Sequence, residues 1–266
     1  MKKMIAKYQE PYILEGNGKE RIINNWLALF PERKQKDDVD KIIERISNKK
    51  LEDFYIEYHD ERNVVKQIND LFADLDRFCC KELVDEICAN LYCENKWIYF
   101  CAPILYLNVE MILDSLKESK IIANVEELLE KVIADITDKL SGQSYRVLVN
   151  ALSVVNEAHR LVGENEEDRG QYFSKVLLKD KDYLKELFLE YPELFRVMNR
   201  TTRYNLQYVV EIIKNTEQEY QKISDQLGKG ATLGKIEAIR LGSGDSHNNG
   251  KTVSAPVCRT MQYCFS

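Results

Sequence analysis

The sequence predicts a mainly α-helical chain that turns to short β-strands near its C-terminal end. Apolar residues recur at the 3.6-residue helical period from Glu20 to Gly228. The breaks between periodic runs fall at helix-ending residues such as Pro31, Gly142, Gly163 and Pro192. From Gly228 the texture changes: "KGATLGKIEAIRLGSG" follows it with glycines at 230, 234, 242 and 244 among short Ile/Leu alternation, the pattern of strands. Residues 1–228 therefore read as a helical body, 229–254 as the start of a second lobe, and 255–266 as a divergent tail.

Taken in order, "ERIINNWLALF" places Ile22, Ile23, Trp26, Leu27 and Phe30 on one helical face, and Pro31 ends it. "DDVDKIIERI" sets Val39, Ile42, Ile43 and Ile46 at helical spacing behind an acidic first turn that suits the helix dipole. A further helix runs through Val64, Val65, Ile68, Leu71, Phe72 and Leu75. The stretch Trp97 to Leu116, "WIYFCAPILYLNVEMILDSL", is apolar on nearly every side. It predicts a central helix with neighbours on both flanks, kinked or started near Pro103. "NVEELLEKVIADITDKL" opens on Asn124 as an N-cap with Glu127 completing a capping box, and is expected to end near Gly142. "YRVLVNALSVVNEAHRLVG" then predicts a separate helix closed by Gly163.

"GENEEDRG", Gly163 to Gly170, reads as a solvated loop between helices, with a metal site or a docking patch for a cationic peptide as the alternative. A long helix then begins at Pro192 or Glu193 and extends to Gly228. On it Arg196, Arg200 and Arg203 stand at i, i+4 and i+7 and share a face. The stripe is expected to pair with the acidic helices around it; the alternative is a cationic surface for phosphate or an acidic peptide.

The chain has 266 residues, 44% hydrophobic and 31% charged, a soluble globular composition. A net charge of −6 argues against a nucleic-acid scaffold, which shows a basic face. No run of 18 apolar residues lacks a charge, so no membrane span is expected. Lys7 and Glu10 interrupt the apolar stretch of the N-terminus, so no signal peptide is expected. The seven cysteines are Cys79, Cys80, Cys88, Cys93, Cys101, Cys258 and Cys264. None has C-x-x-C spacing or a nearby His, so no zinc site is expected; reduced thiols in the cytoplasm are. The first five are expected to act as small buried apolar side chains. His59 and His159 stand isolated, with no ligand partners near them in sequence.

Chemistry-capable residues concentrate in "GDSHNNGKTVS", Gly244 to Ser254. Gly244 and Gly250 let the backbone turn close to a ligand, while backbone N–H groups and the Lys251 ammonium can neutralise phosphate oxygens, with Ser246 and Thr252 beside them. His247 can exchange a proton near neutral pH. A Walker A loop is excluded because Asp245 stands where its first glycine belongs, and a dinucleotide fingerprint fails at His247. The competing reading is a polar hairpin turn with Asn249-Gly250 as a type I′ signal.

This segment is similar to the G-D-[ST]-H-x-x-G-[KR]-[ST]-V stretch in the dehydratase domain of class II lanthipeptide (lantibiotic) synthetases. Tyr191 to Gly228 resembles the helical segment that precedes that stretch in the family. The resemblance implies a lipid-kinase-type fold, of which this chain has the helical body and the first β-strands of an incomplete kinase-like lobe. It implies a reaction in which ATP and magnesium serve to phosphorylate Ser and Thr of a precursor peptide, followed by elimination of phosphate to dehydroamino acids. Carried over by position, Asp245 and His247 match catalytic residues of the elimination step. Gly244, Ser246, Gly250, Lys251 and Thr252 match the phosphate-binding scaffold.

After Ser254 the sequence departs from the family pattern: "APVCRTMQYCFS" lacks the Tyr-Lys-Pro-type strand whose lysine holds the nucleotide. Pro256 is a poor residue for a central strand, and Cys258 and Cys264 are expected to be exposed. The expectation is a truncated dehydratase, inactive alone and binding ATP and magnesium unproductively, or completed by a separately encoded remainder of the synthetase. A non-catalytic helical module that binds the leader of a precursor peptide is the alternative.

Overall fold

In a computed structural model the described residues are Lys41, 61–227, 233–241 and 255–260. The chain divides into two compact units, 1–66 and 67–266. In the first, Lys41 and residues 61–66 are helical. From residue 61 onward the described residues form eight α-helices: α1 (Glu61–Ala73), α2 (Lys81–Leu91), α3 (Ile98–Glu110), α4 (Leu113–Glu118), α5 (Val125–Glu157), α6 (Glu166–Lys175), α7 (Lys181–Glu190) and α8 (Pro192–Leu227). Short 3₁₀ turns, Leu75–Arg77 and Leu177–Lys179, follow α1 and α6, and two strands, β1 (Leu233–Arg240) and β2 (Ala255–Thr260), come last. The fold is mainly α, as expected. The helices expected around Trp26 and Ile42 lie outside the described residues.

The apolar stretch from Trp97 forms the centre of the second unit. Ten of the thirteen residues of α3 are buried, Pro103 among them, and α2, α4, α5, α8 and the second 3₁₀ turn all pack against it. The helix starts at Ile98, well before Pro103. Aromatic rings lock this core: Phe188 of α7 stacks on Phe100 at 4.7 Å and meets Phe195 of α8 edge-on at 5.4 Å.

The two helices expected on either side of Gly142 are one. α5 runs unbroken for 33 residues, and its buried stripe continues through Ile136, Leu140, Ser144, Leu148, Ala151 and Val155 at steps of three or four. A helix-interior glycine costs about 1 kcal/mol, whereas burying one Leu or Val contributes roughly 1.5–3 kcal/mol, so the stripe overrides the punctuation. Asn124 caps α5 as expected, accepting from the Glu126 and Glu127 N–H groups at 2.9 and 3.4 Å. The expected capping box is altered: Glu127 Oε1 accepts from the Asn124 side-chain amide, Nδ2, at 3.2 Å, and not from its backbone N–H.

α5 also stops earlier than Gly163. His159, at φ 52°, is the left-handed residue after the last turn. Its N–H donates to Asn156 O and that of Arg160 to Val155 O, both at 3.0 Å, the bonding pattern of a Schellman motif. The acidic "GENEEDRG" stretch is a helix start and not a loop: Asn165 caps α6 by accepting from the Asp168 N–H at 2.9 Å, and Glu166, Glu167 and Asp168 fill the first turn. Acidic residues that read as a solvated loop suit the positive end of the helix dipole equally well. α8 matches its expected bounds, with a buried stripe through Phe195, Met198, Thr202, Leu206, Val209 and Ile213.

Candidate functional site

Asp245 and His247, with Gly244, Ser246, Gly250, Lys251 and Thr252, lie outside the described residues, as does the whole Gly244–Ser254 segment. Its two flanks are described. β1 and β2 pair antiparallel, with Arg240 opposite Ala255, Ile239 opposite Pro256 and Ala238 opposite Val257. The segment is thus the connection of a β-hairpin. The register is not the one that a two-residue turn at Asn249-Gly250 sets, which opposes residues 240 and 259.

The hairpin sits on α5. Ile236 and Ile239 are each 1% exposed, and two register shifts in β1, one on each side of Ile236, let both turn toward the helical body despite their odd spacing. Backbone bonds tie the strand to the segment before α5: Ile236 N–H donates to Ile121 O at 2.6 Å, and Ala123 N–H donates to Ile236 O at 2.9 Å. α5 adds two side-chain anchors one turn apart. Lys131 Nζ donates to Glu237 O at 3.2 Å, and Asp135 Oδ2 accepts the Leu241 N–H at 3.2 Å. Leu241 is the first residue after β1, so a carboxylate of α5 holds the backbone just beyond the strand's end.

One turn further along α5, Lys139 Nζ donates to Asn205 Oδ1 of α8 at 2.9 Å. Burial holds this ammonium below the ordinary lysine range, with Asp135 opposing the shift. Lys131, Asp135 and Lys139 thus form a polar i, i+4, i+8 stripe that joins α5 to the hairpin and to α8. Sequence reasoning missed it because this segment was read only for its Asn124 cap and its expected end near Gly142. The alternation of charge at helical spacing was the available signal.

A family model described as a domain of unknown function, DUF4135, matches residues 191–260. No curated protein matches the chain. The matched span begins at Tyr191, the residue that caps α7, and takes in α8, β1 and β2 together with the connection between the strands.

β2 forms although it contains Pro256. The proline is exposed on a strand whose partner among the described residues is β1, where a missing N–H donor is tolerated. Cys258 is half-buried, and burial raises its thiol. Of the first five cysteines, Cys80, Cys88 and Cys101 are buried as expected, whereas Cys79 and Cys93 are exposed. Burial pushes the Cys80 and Cys88 thiols up to about 12 and raises Cys101 further. Cys79 Sγ donates to both Glu110 carboxylate oxygens, at 3.1 and 3.2 Å, and that bond raises it too.

The arginine stripe of α8 divides. Arg196 pairs with Glu193 one turn back, with Nη2 at 2.7 Å and Nε at 2.8 Å from Oε2. The pairing expected with the surrounding acidic helices is, at Arg196, an ion pair within α8 itself. Arg203 is exposed and borders a pocket of about 200 Å³ between the α3–α4 corner and α8, lined also by Asn108, Met111, Ile112, Leu206 and Val210. Asn108 is 2% exposed; its Nδ2 donates to Ile104 O at 2.7 Å and Asn199 Oδ1 at 2.8 Å. Both donors are used, which fixes the amide orientation and leaves Oδ1 without a donor. A buried acceptor left unsatisfied costs about 1–3 kcal/mol.

No helix among the described residues is long and apolar enough to cross a membrane. No group of three His, Cys, Asp or Glu among them is arranged to hold a metal ion.

Proposed function

We propose that this chain carries the phosphate-handling hairpin of a lanthipeptide-synthetase dehydratase, acting on phosphorylated Ser or Thr of a precursor peptide. The observation that carries the reading is the match at residues 191–260: DUF4135 is found in lanthipeptide synthetases, and the matched span covers the helix and the hairpin on which the sequence resemblance rests.

Elimination of phosphate breaks the Cβ–O bond as the α-proton leaves, and negative charge builds on the departing phosphate. In this reading Lys251 and the backbone N–H groups around Gly244 and Gly250 stabilise that charge, helped by the Ser246 and Thr252 hydroxyls. Neutral His247 accepts the α-proton while the Cβ–O electron pair leaves with the phosphate, and Asp245 orients the imidazole ring. The Asp135 tether at Leu241 supports the role by holding the start of the loop against a long helix, where a positioned donor set costs little reorganisation. ATP and magnesium belong to the phosphorylation that precedes elimination.

The test is fluorescence anisotropy of the full chain with a labelled phosphoserine peptide and its serine counterpart. The phosphorylated peptide is expected to bind about tenfold more tightly, a difference of about 1.4 kcal/mol. Lys251→Ala and His247→Ala are expected to abolish the preference. Equal binding of the two peptides refutes the proposal.

A further inference from the structure

We infer that the pocket between α3, α4 and α8 anchors a peptide segment in which an aliphatic side chain stands beside a carboxylate. The inference does not rest on the phosphate chemistry of the loop, and it gives peptide binding a defined place on the helical body.

Three features select that occupant. The volume of about 200 Å³ is below the roughly 300–1,000 Å³ of whole-ligand sites, so the pocket takes one side chain of a larger molecule. Its apolar wall comes from Ile112, Leu206 and Val210, with Met111 at 61% exposure on the outside; an aliphatic group covers this surface. Its polar groups ask for two complements at once. Asn108 Oδ1 lacks a donor, which a peptide N–H supplies, and Arg203 has no ion pair among the described residues, which a carboxylate supplies. A peptide residue with an aliphatic side chain and an acidic neighbour offers the N–H, the apolar body and the anion within one short unit. Methionine at an exposed rim also suits an adaptable contact with an extended chain.

The test uses the full chain with ¹³C-methyl-labelled methionine, titrated with N-acetyl-leucyl-glutamate amide and followed at the Met111 methyl. Saturable movement of that signal at millimolar peptide is expected. The leucyl-glutamine counterpart, or the Arg203→Gln protein, is expected to weaken binding by on the order of fivefold. N-methylation of the leucine amide, which removes the donor offered to Asn108, is expected to weaken it by about tenfold. Arg203 is exposed, so its replacement leaves the fold intact. A Met111 signal that does not move overturns the inference, and so does binding indifferent to the glutamate, to Arg203 and to the leucine N–H.

Discussion

Replacing Gly142 with alanine is expected to stabilise the protein. A Cβ built at Gly142 meets nothing within 4 Å, so the substitution neither clashes nor gains packing. What remains is the helix-interior difference between glycine and alanine, about 0.8–1 kcal/mol in favour of alanine. For a protein of this size that corresponds to about 2–4 °C in Tm. Urea unfolding followed by far-UV circular dichroism is the assay, with a raised midpoint and an unchanged slope expected. Gly163→Ala is the control of opposite sign. Gly163 has φ 152°, and a Cβ there falls 2.6 Å from Asp168 Cβ and 2.7 Å from the Arg169 nitrogen. A loss of roughly 2–3 kcal/mol is expected from strain and displacement of the α6 start. A neutral or destabilising Gly142→Ala refutes a continuous α5, because a helix ending there would need the glycine itself.

His159→Gly is expected to gain about 0.5–1 kcal/mol in the same assay, since a left-handed conformation is costly for a residue with a side chain. Asp135→Ala removes the acceptor of the Leu241 N–H and is expected to raise amide exchange at Leu241 by about tenfold, while the α3 amides keep their protection. Labelling of Cys79 by a thiol reagent is expected to climb with pH through a midpoint above the ordinary thiol value. The Glu110 carboxylate favours the protonated thiol, so Glu110→Gln lowers that midpoint and speeds labelling at mildly alkaline pH. Cys88 and Cys101 are expected to stay unlabelled in the native protein.

The long elements were legible where period and punctuation agreed. α8 has Pro192 at its start and one uninterrupted apolar stripe, and the all-round hydrophobicity of α3 marks it as central. Legibility failed where local signals competed with packing. Gly142 looks like a stop, but the side chains on both sides of it share one buried stripe, and burial outweighs the local cost. Glu166, Glu167 and Asp168 look like loop, yet the same charges stabilise a helix start behind an Asn cap. Pro256 argued against a central strand, and β2 has β1 as its one strand partner among the described residues, where the missing donor is tolerated. The candidate loop was visible as a cluster of residue types, whereas the α5 stripe beneath the hairpin depends on contacts more than a hundred residues apart, from Lys131 to Glu237 and from Asp135 to Leu241. The α3–α8 pocket depends on Asn108 meeting Asn199, which no local pattern signals.

The measurement that bears most directly on the central claim, a phosphate-handling loop rooted on α5, is the backbone amide signal of Leu241 during titration with the phosphoserine peptide. The account predicts that this signal moves, saturates with the phosphorylated peptide and stays still with the serine counterpart, because that N–H lies just beyond β1, three residues before Gly244, and Asp135 holds it. A Leu241 signal unmoved by a phosphopeptide that nonetheless binds the chain would put the phosphate elsewhere and contradict the claim.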